Sequence, residues 1–200
     1  PVIHAGSGVI HAGAYDELAR VAELLHAPVT TSWAGRGVLP ETNALAVPRA
    51  DVKLNHEVRN DADLVLCVGS RLGETDWWGK APYWRHPSQQ QMIQVDIDGL
   101  ILGANKPAAL AVLADAKLFL AALADELSSH QSQMNLDARR RKMAKYRDAM
   151  RAERAKLDEK LSDMAVPMNP AHVAHVCQQV FPEGTVLVAD GGNTAVWAMM

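Results

Sequence analysis

Four short stretches of the chain carry residue types that could do chemistry. In Ala5-Gly6-Ser7-Gly8, a glycine turn follows the apolar residues Val2 and Ile3, and such a turn at a helix start offers backbone amides to a phosphate or another anion. Gly69-Ser70-Arg71 ends a second apolar run, and its guanidinium could pair with a phosphate or carboxylate. Asp96-Ile97-Asp98 places two carboxylates two residues apart on an extended segment, where they either grip hydroxyls or a cation or cap the following turn. Asp190-Gly191-Gly192-Asn193-Thr194 closes a third apolar run in a glycine turn. His172 and His175 are one helical turn apart with no third ligand, and they read as surface or interface histidines, as do His4 and His11. Cys67 and Cys177 lack the spacing of a disulfide framework or a zinc site, which points to a reducing, cytoplasmic setting.

The elements that must position these residues are those of an α/β fold. Pro1 to Trp33 reads as strand, glycine turn, helix, strand: Tyr15, Leu18, Val21 and Leu25 give the helical face, and Pro28-Val29-Thr30-Thr31-Ser32-Trp33 the second strand. Such a βαβ unit puts the glycine turn at the carboxyl edge of a parallel sheet, where ligands of open α/β sheets bind. The glycines are Gly6, Gly8 and Gly13, so the third comes too late for the dinucleotide fingerprint, and no carboxylate ends the second strand; an ordinary NAD site is disfavoured. A plain tight turn stands beside a ligand role for Gly6 and Gly8.

A loop at Ala34-Gly35-Arg36-Gly37 and a short helix within Pro48 to Asn60, with Val52 and Val58 inward, precede the third strand, Leu64-Val65-Leu66-Cys67-Val68. The continuous apolar run fits a strand covered on both faces. Trp77, Trp78, Tyr83 and Trp84 crowd the next loop, to cover the sheet edge, fill an interface or stack on a ligand. Met92 to Val95 is the fourth strand and Ala109 to Leu113 a fifth; Asp115 caps a helix with Ala116, Phe119, Leu120, Leu123 and Leu127 inward. Leu136 to Leu161 is a long charged helix, with Leu136, Met143, Met150 and Leu157 spaced by seven. Ala171 to Val180 is a helix with Val173, Val176 and Val180 inward, and Val186-Leu187-Val188-Ala189 a strand. The expected organisation is a Rossmann-like parallel sheet of five to six strands over 1–130, a linker with the charged helix over 131–167, and a truncated second α/β unit over 168–200.

With 48% hydrophobic residues, 22% charged and a net charge of -3, the composition is that of an ordinary globular protein. The basic run Arg139-Arg140-Arg141-Lys142 lies among enough acids to be a solvated helix face, so nucleic acid is not an expected partner. No apolar run reaches the roughly 18 residues of a membrane helix. The chain starts directly on a strand and stops within the apolar Trp197-Ala198-Met199-Met200, which predicts a piece of a longer protein.

In this order the pieces resemble the central domain of thiamine-diphosphate-dependent enzymes of the acetolactate synthase group, with the beginning of the diphosphate-binding domain attached. The residues that carry the resemblance are Pro1-Val2-Ile3 with Gly6-Ser7-Gly8-Val9-Ile10; Ala27-Pro28-Val29-Thr30-Thr31-Ser32 with Gly35-Arg36-Gly37; Ala62 to Gly69-Ser70-Arg71; Ile93 to Asp98; and Val188 to Asn193 with Trp197. The resemblance implies an enzyme of three α/β domains acting on a 2-oxo acid, using thiamine diphosphate and Mg2+. It implies cofactor contacts at Gly191, Gly192, Asn193 and Thr194, and catalytic residues on the domains not in this chain, so that this piece is inactive alone. Family positions for FAD or another nucleotide map to Gly6, Ser7, Gly8, Ser32, Trp33, Ala34, Arg71, Asp96 and Ile97. After Arg71 the chain has Leu72-Gly73-Glu74-Thr75-Asp76-Trp77-Trp78 where flavin-binding members carry an acidic and basic cluster, and it has Arg49 to Asn55 in place of a glycine- and histidine-containing loop. FAD, ADP or an empty site therefore stay open, as do a decarboxylase, an acyl-CoA lyase and a stand-alone FAD- or NAD-binding module. A homodimer or homotetramer is implied for the whole enzyme.

Overall fold

The computed structural model describes residues 1–188 and 190–198, Thr194 by its backbone alone. They form two compact units, Pro1–Tyr146 and Arg147–Met200. The first is built on five parallel strands, β1 (Val2–Ala5), β2 (Val29–Thr31), β3 (Leu64–Val68), β4 (Gln91–Asp96) and β5 (Leu110–Leu113), in the order β2-β1-β3-β4-β5. Beyond β2, a bridge between Val29 and Ala46 adds the rudiment of a sixth. β1 and β3 are buried along almost their whole length, which is why β3 reads as an unbroken apolar run and β1 as one broken only by His4.

Two helices connect β1 to β2 where one was expected. The glycine turn itself starts α1 (Ser7–His11), and Gly13 in the left-handed region (φ 60°) separates it from α2 (Tyr15–Leu25). Leu18, Val21 and Ala22 of α2 are buried while Tyr15 is exposed. α3 (Val52–Asp61) starts at an N-cap where Asp51 accepts from the Leu54 amide. It turns Leu54, Asn55, Val58 and Arg59 inward, so Val58 is core as expected; Val52, on the first turn, is 40% exposed. α4 (Ala116–Ser129) starts at the Asp115 cap, buries Ala116, Leu120 and Ala124, and packs beside α2, with Arg20 paired to Asp125 at 2.8 Å. Phe119, Leu123 and Leu127 are half-buried.

The first residues of the long helix α5 (Asp137–Leu161) belong to the first unit. Met143 and Tyr146 are buried, the Tyr146 hydroxyl donates to Asp61 at 2.8 Å, and Arg139 donates to the Leu25 carbonyl. In the second unit α6 (Pro170–Val180) begins at an Asn169 cap with Pro170 in its first turn. Its inward residue is Ala171; Val173, Val176 and Val180, expected to face a core, are exposed. The strand expected at 186–189 is not formed at Val186, Leu187 and Val188, which are exposed, and Ala189 lies outside the described residues. A parallel strand exists by pairing, and no neighbour pairs with these residues among those described. α7 (Asn193–Ala198) follows.

Candidate functional site

All strands of the first unit are parallel, so the segments after β1, β2, β3 and β4 share one edge. Gly6 to Gly8, Ser32 to Ala34, Arg71, Asp96 and Ile97 are thereby brought to the carboxyl edge of the sheet. The chain leaves β1 for β2 on one side while β3 pairs on the other, so the switch point, where open α/β sheets hold ligands, falls between the ends of β1 and β3.

At that point the turns interlock. The Gly6 amide donates to the Val68 carbonyl at 2.9 Å and the Gly8 amide to the Gly69 carbonyl at 3.0 Å. A Cβ on Gly6 would lie 2.1 Å from the Gly69 oxygen, and one on Gly69 would lie 2.7 Å from the Gly8 Cα. Gly35 closes on the same place, since a Cβ there would stand 2.5 Å from the Ala5 oxygen. The glycines are required because three backbones touch, and two amides of the turn that could have received a diphosphate are spent on that contact. α1 spans five residues, so little helix stands behind the turn to hold an anion.

The other residues of the edge are disposed unequally. Ser32 Oγ accepts from the Gly35 amide and caps the 3-10 turn Trp33–Gly35. Trp33 carries the Arg49 guanidinium over its ring at 4.5 Å. Asp96 Oδ1 accepts from the Asp98 amide and Asp98 Oδ1 from the Leu100 amide, so the carboxylate pair caps the turn, one of the two roles its spacing allows. Arg71 and Ile97 are exposed, Ile97 at 76%. What this edge presents outward is the Arg71 guanidinium and the apolar Ile97 side chain.

Below the edge lies a cluster that sequence reading did not assemble. His4, Thr30, Cys67 and Gln94 are register partners across four strands and form one buried row. Asp76 and Trp84 pack on His4 of this row, and Arg59 of α3 pairs with Asp76. His4, expected at a surface or interface, is fully buried: Nδ1 meets the Thr30 hydroxyl at 3.1 Å, Nε2 lies 3.5 Å from Asp76 Oδ2, and Trp84 packs edge-on at 5.2 Å. Asp76 Oδ1 lies 3.9 Å from Arg49 Nη2 and 3.7 Å from Arg59 Nη2, both arginines being at most 1% exposed. Burial lowers the pKa of His4 and of Arg49, and brings Arg59 down to about 10, in each case against the pull of Asp76. Burial opposes the charge on Asp76 itself, yet His4, Arg59 and Arg49 together hold its carboxyl below the ordinary range. The four residues lie up to 72 positions apart and belong to no motif; only the odd occurrence of His4 inside an apolar strand hinted at them.

The loop tryptophans divide among these roles. Trp84 is core, its Nε1 donating to the Asp76 carbonyl at 2.8 Å. Trp77 stacks on Tyr83 at 4.2 Å with His56 against both, and Trp78 is 44% exposed. Trp77 and Trp78 are successive left-handed residues (φ 51° and 50°), a strained arrangement held by the packing of Trp77 and Trp84.

In the second unit, Asp190 Oδ1 accepts from the Gly191 amide at 2.7 Å, Gly192 adopts φ 88°, and Asn193 begins α7; the Thr194 side chain lies outside the described residues. His172 Nδ1 contacts the Leu161 carbonyl at 2.7 Å and His175 contacts Gln179, which occupies the two rings separately. Cys67 is buried and Cys177 half-buried, both free thiols. A cavity of about 220 Å3, lined by Pro1, Pro28, Asp61, Asp63, Arg139 and Tyr146 among others, opens beside the starts of β1 and β3, away from the carboxyl edge. No described helix is long and apolar enough to cross a membrane.

A five-stranded parallel sheet flanked by helices, with glycine turns meeting at its switch point, defines an open α/β domain. The family described as "Thiamine pyrophosphate enzyme, central domain" matches residues 1–123, and the chain belongs to that family. The chain is 29% identical over 213 aligned positions to sulfoacetaldehyde acetyltransferase of Roseovarius nubinhibens, covering 96% of this chain and 34% of that protein. It is 39% identical over 124 positions to the probable 2-ketoarginine decarboxylase of Pseudomonas aeruginosa, covering 62% of this chain and 21% of the relative. A solved structure from Mycobacterium smegmatis, provisionally assigned as a thiamin diphosphate-dependent enzyme, matches with a TM-score of 0.50 and 25% identity, over 62% of this chain and 24% of that one. The chain thus spans about a third or less of the length of these relatives.

Proposed function

We propose that the chain is part of a thiamine-diphosphate-dependent enzyme that makes or breaks a carbon–carbon bond next to a carbonyl group, with a 2-oxo acid as substrate. The single observation behind this reading is the family membership of residues 1–123, in a fold of the same class. The relatives named as a transferase and a decarboxylase agree with carboligation or decarboxylation. When bound, the cofactor supplies a centre that stabilises negative charge on the substrate carbon. Gly191, Gly192, Asn193 and Thr194 would hold its diphosphate, together with Mg2+, through backbone amides and the Asn193 amide side chain. The left-handed Gly192 and the start of α7 at Asn193 are compatible with such a turn. Catalytic groups lie on the rest of the enzyme, a cytoplasmic homodimer or homotetramer in this reading, and the 200 residues alone are silent.

The test is turnover of pyruvate and longer 2-oxo acids by the full-length protein with and without thiamine diphosphate and Mg2+. Consumption that requires the cofactor supports the reading; its absence across the panel removes it.

A second reading concerns the central domain itself: it carries no flavin, and its task is to hold the neighbouring domains. The engagement of the Gly6 and Gly8 amides by Val68 and Gly69 favours it, because the turn has little left for a diphosphate. A full-length protein purified without a flavin absorption band, and unaltered in turnover by Arg71→Ala and Asp96→Ala, agrees with this view. Stoichiometric bound FAD or ADP, lost in Arg71→Ala, contradicts it.

A further inference from the structure

We infer that Arg49 and Arg59 form a buried site for one monovalent inorganic anion of about the size of chloride, on the α3 face of the sheet. The first ground is donor count. Nε and Nη1 of Arg49 and all three nitrogens of Arg59 are buried and have no hydrogen-bond partner. Of the Arg49 guanidinium only Nη2 is used, donating to the Thr75 carbonyl at 2.9 Å. Asp76 Oδ1 stands too far from either arginine to accept a hydrogen bond and is itself unpartnered. Buried N–H groups in folded proteins are almost always satisfied, so this many open donors in one place call for an acceptor.

The second ground is charge. At neutral pH Arg49 and Arg59 are cations and Asp76 an anion, while burial favours the neutral form of His4. Cys67, which lies close enough to influence Arg59, is held as a thiol by burial. The cluster therefore carries one unbalanced positive charge out of reach of solvent, and an unpaired buried charge is among the costliest features a fold can contain. A monovalent anion balances it, whereas a divalent phosphate or sulfate overshoots.

The third ground is shape. Trp33 covers the face of Arg49 at 4.5 Å and Trp84 that of Arg59 at 4.7 Å, so the rings block approach from above and leave the in-plane N–H edges as the donating surface. Both guanidinium groups stand within 4 Å of Asp76 Oδ1, which puts their open N–H edges in one cluster.

The experiment is thermal unfolding of the full-length protein in chloride against gluconate at constant ionic strength, with crystals grown in bromide for anomalous diffraction. In wild type the melting temperature should rise with chloride along a saturable curve, as expected of a ligand that binds only the folded state. Arg59→Met, which keeps the bulk over Trp84 and removes the charge, should abolish the dependence. Asp76→Asn raises the net charge and should lower the half-saturating chloride concentration at least tenfold. The bromide peak should fall within hydrogen-bonding distance of Arg49 and Arg59. Equal melting in both salts, an equal chloride response in Arg59→Met, or a map with water alone between the arginines would overturn the proposal. Should both variants fail to fold, the wild-type bromide map decides.

Discussion

Placing a methyl group on the touching backbones offers the sharpest test of the glycine interlock. Three glycines form a natural series. Gly13 is left-handed (φ 60°) with nothing within 4 Å of the place a Cβ would take, whereas Gly69 is left-handed (φ 59°) with the Gly8 Cα at 2.7 Å. Gly6 has an ordinary φ of -100° but a Cβ there would meet the Gly69 oxygen at 2.1 Å. Left-handed backbone costs an L-residue about 1–2 kcal/mol, and forcing atoms into a filled space costs typically about 1–3 kcal/mol. Gly13→Ala should therefore destabilise by about 1–2 kcal/mol, Gly6→Ala by about 1–3, and Gly69→Ala by the two effects together, about 2–5. For a chain of this size each kcal/mol moves the melting temperature by about 2–4 °C, so the series is resolvable by circular dichroism or urea titration. Equal destabilisation by Gly69→Ala and Gly13→Ala, with Gly6→Ala neutral, would refute the close approach and return the glycines to a ligand-binding role.

Two further outcomes follow from the interior. Because burial depresses the pKa of His4 below 6.5, the unfolded chain binds the extra proton first, so stability is fully present above about pH 6.5 and falls as pH drops toward the folded value. The slope contributed is at most about 1.4 kcal/mol per pH unit; His4→Gln should flatten the profile below pH 6.5 relative to wild type, and an unchanged profile would place His4 in water. Tyr146→Phe removes the hydrogen bond to Asp61 and should cost about 0.5–1.5 kcal/mol in urea unfolding, with no cost expected if α5 does not dock through that residue.

The sequence was most legible where one physical effect dominated. Leu64 to Val68 reads as a strand because a strand covered on both faces is apolar throughout, and β3 has those bounds. Asp115 reads as a cap because a short carboxylate before an apolar helical stripe has little else to do. Legibility failed where the deciding partner is distant in sequence. Gly6 and Gly8 look like a ligand turn until Gly69 is brought against them, and the carboxylates of Asp96 and Asp98 show their capping role only once the turn is folded. The cluster of His4, Arg49, Arg59 and Asp76 has no spacing signature, since β1, the segment before α3, α3 and the loop after β3 each contribute one member. Val186 to Val188 illustrates the opposite failure: an apolar run predicts a strand, but pairing makes one, and no partner strand stands beside it among the described residues.

Calorimetric titration of the full-length protein with thiamine diphosphate and Mg2+ reads out whether Gly191 to Thr194 contact the cofactor diphosphate, as proposed. Saturable binding is expected, weakened at least tenfold by Asn193→Ala, a loss of about 1.4 kcal/mol. No heat of binding in the wild-type protein would contradict it, and undiminished affinity in Asn193→Ala would remove this turn from the cofactor site.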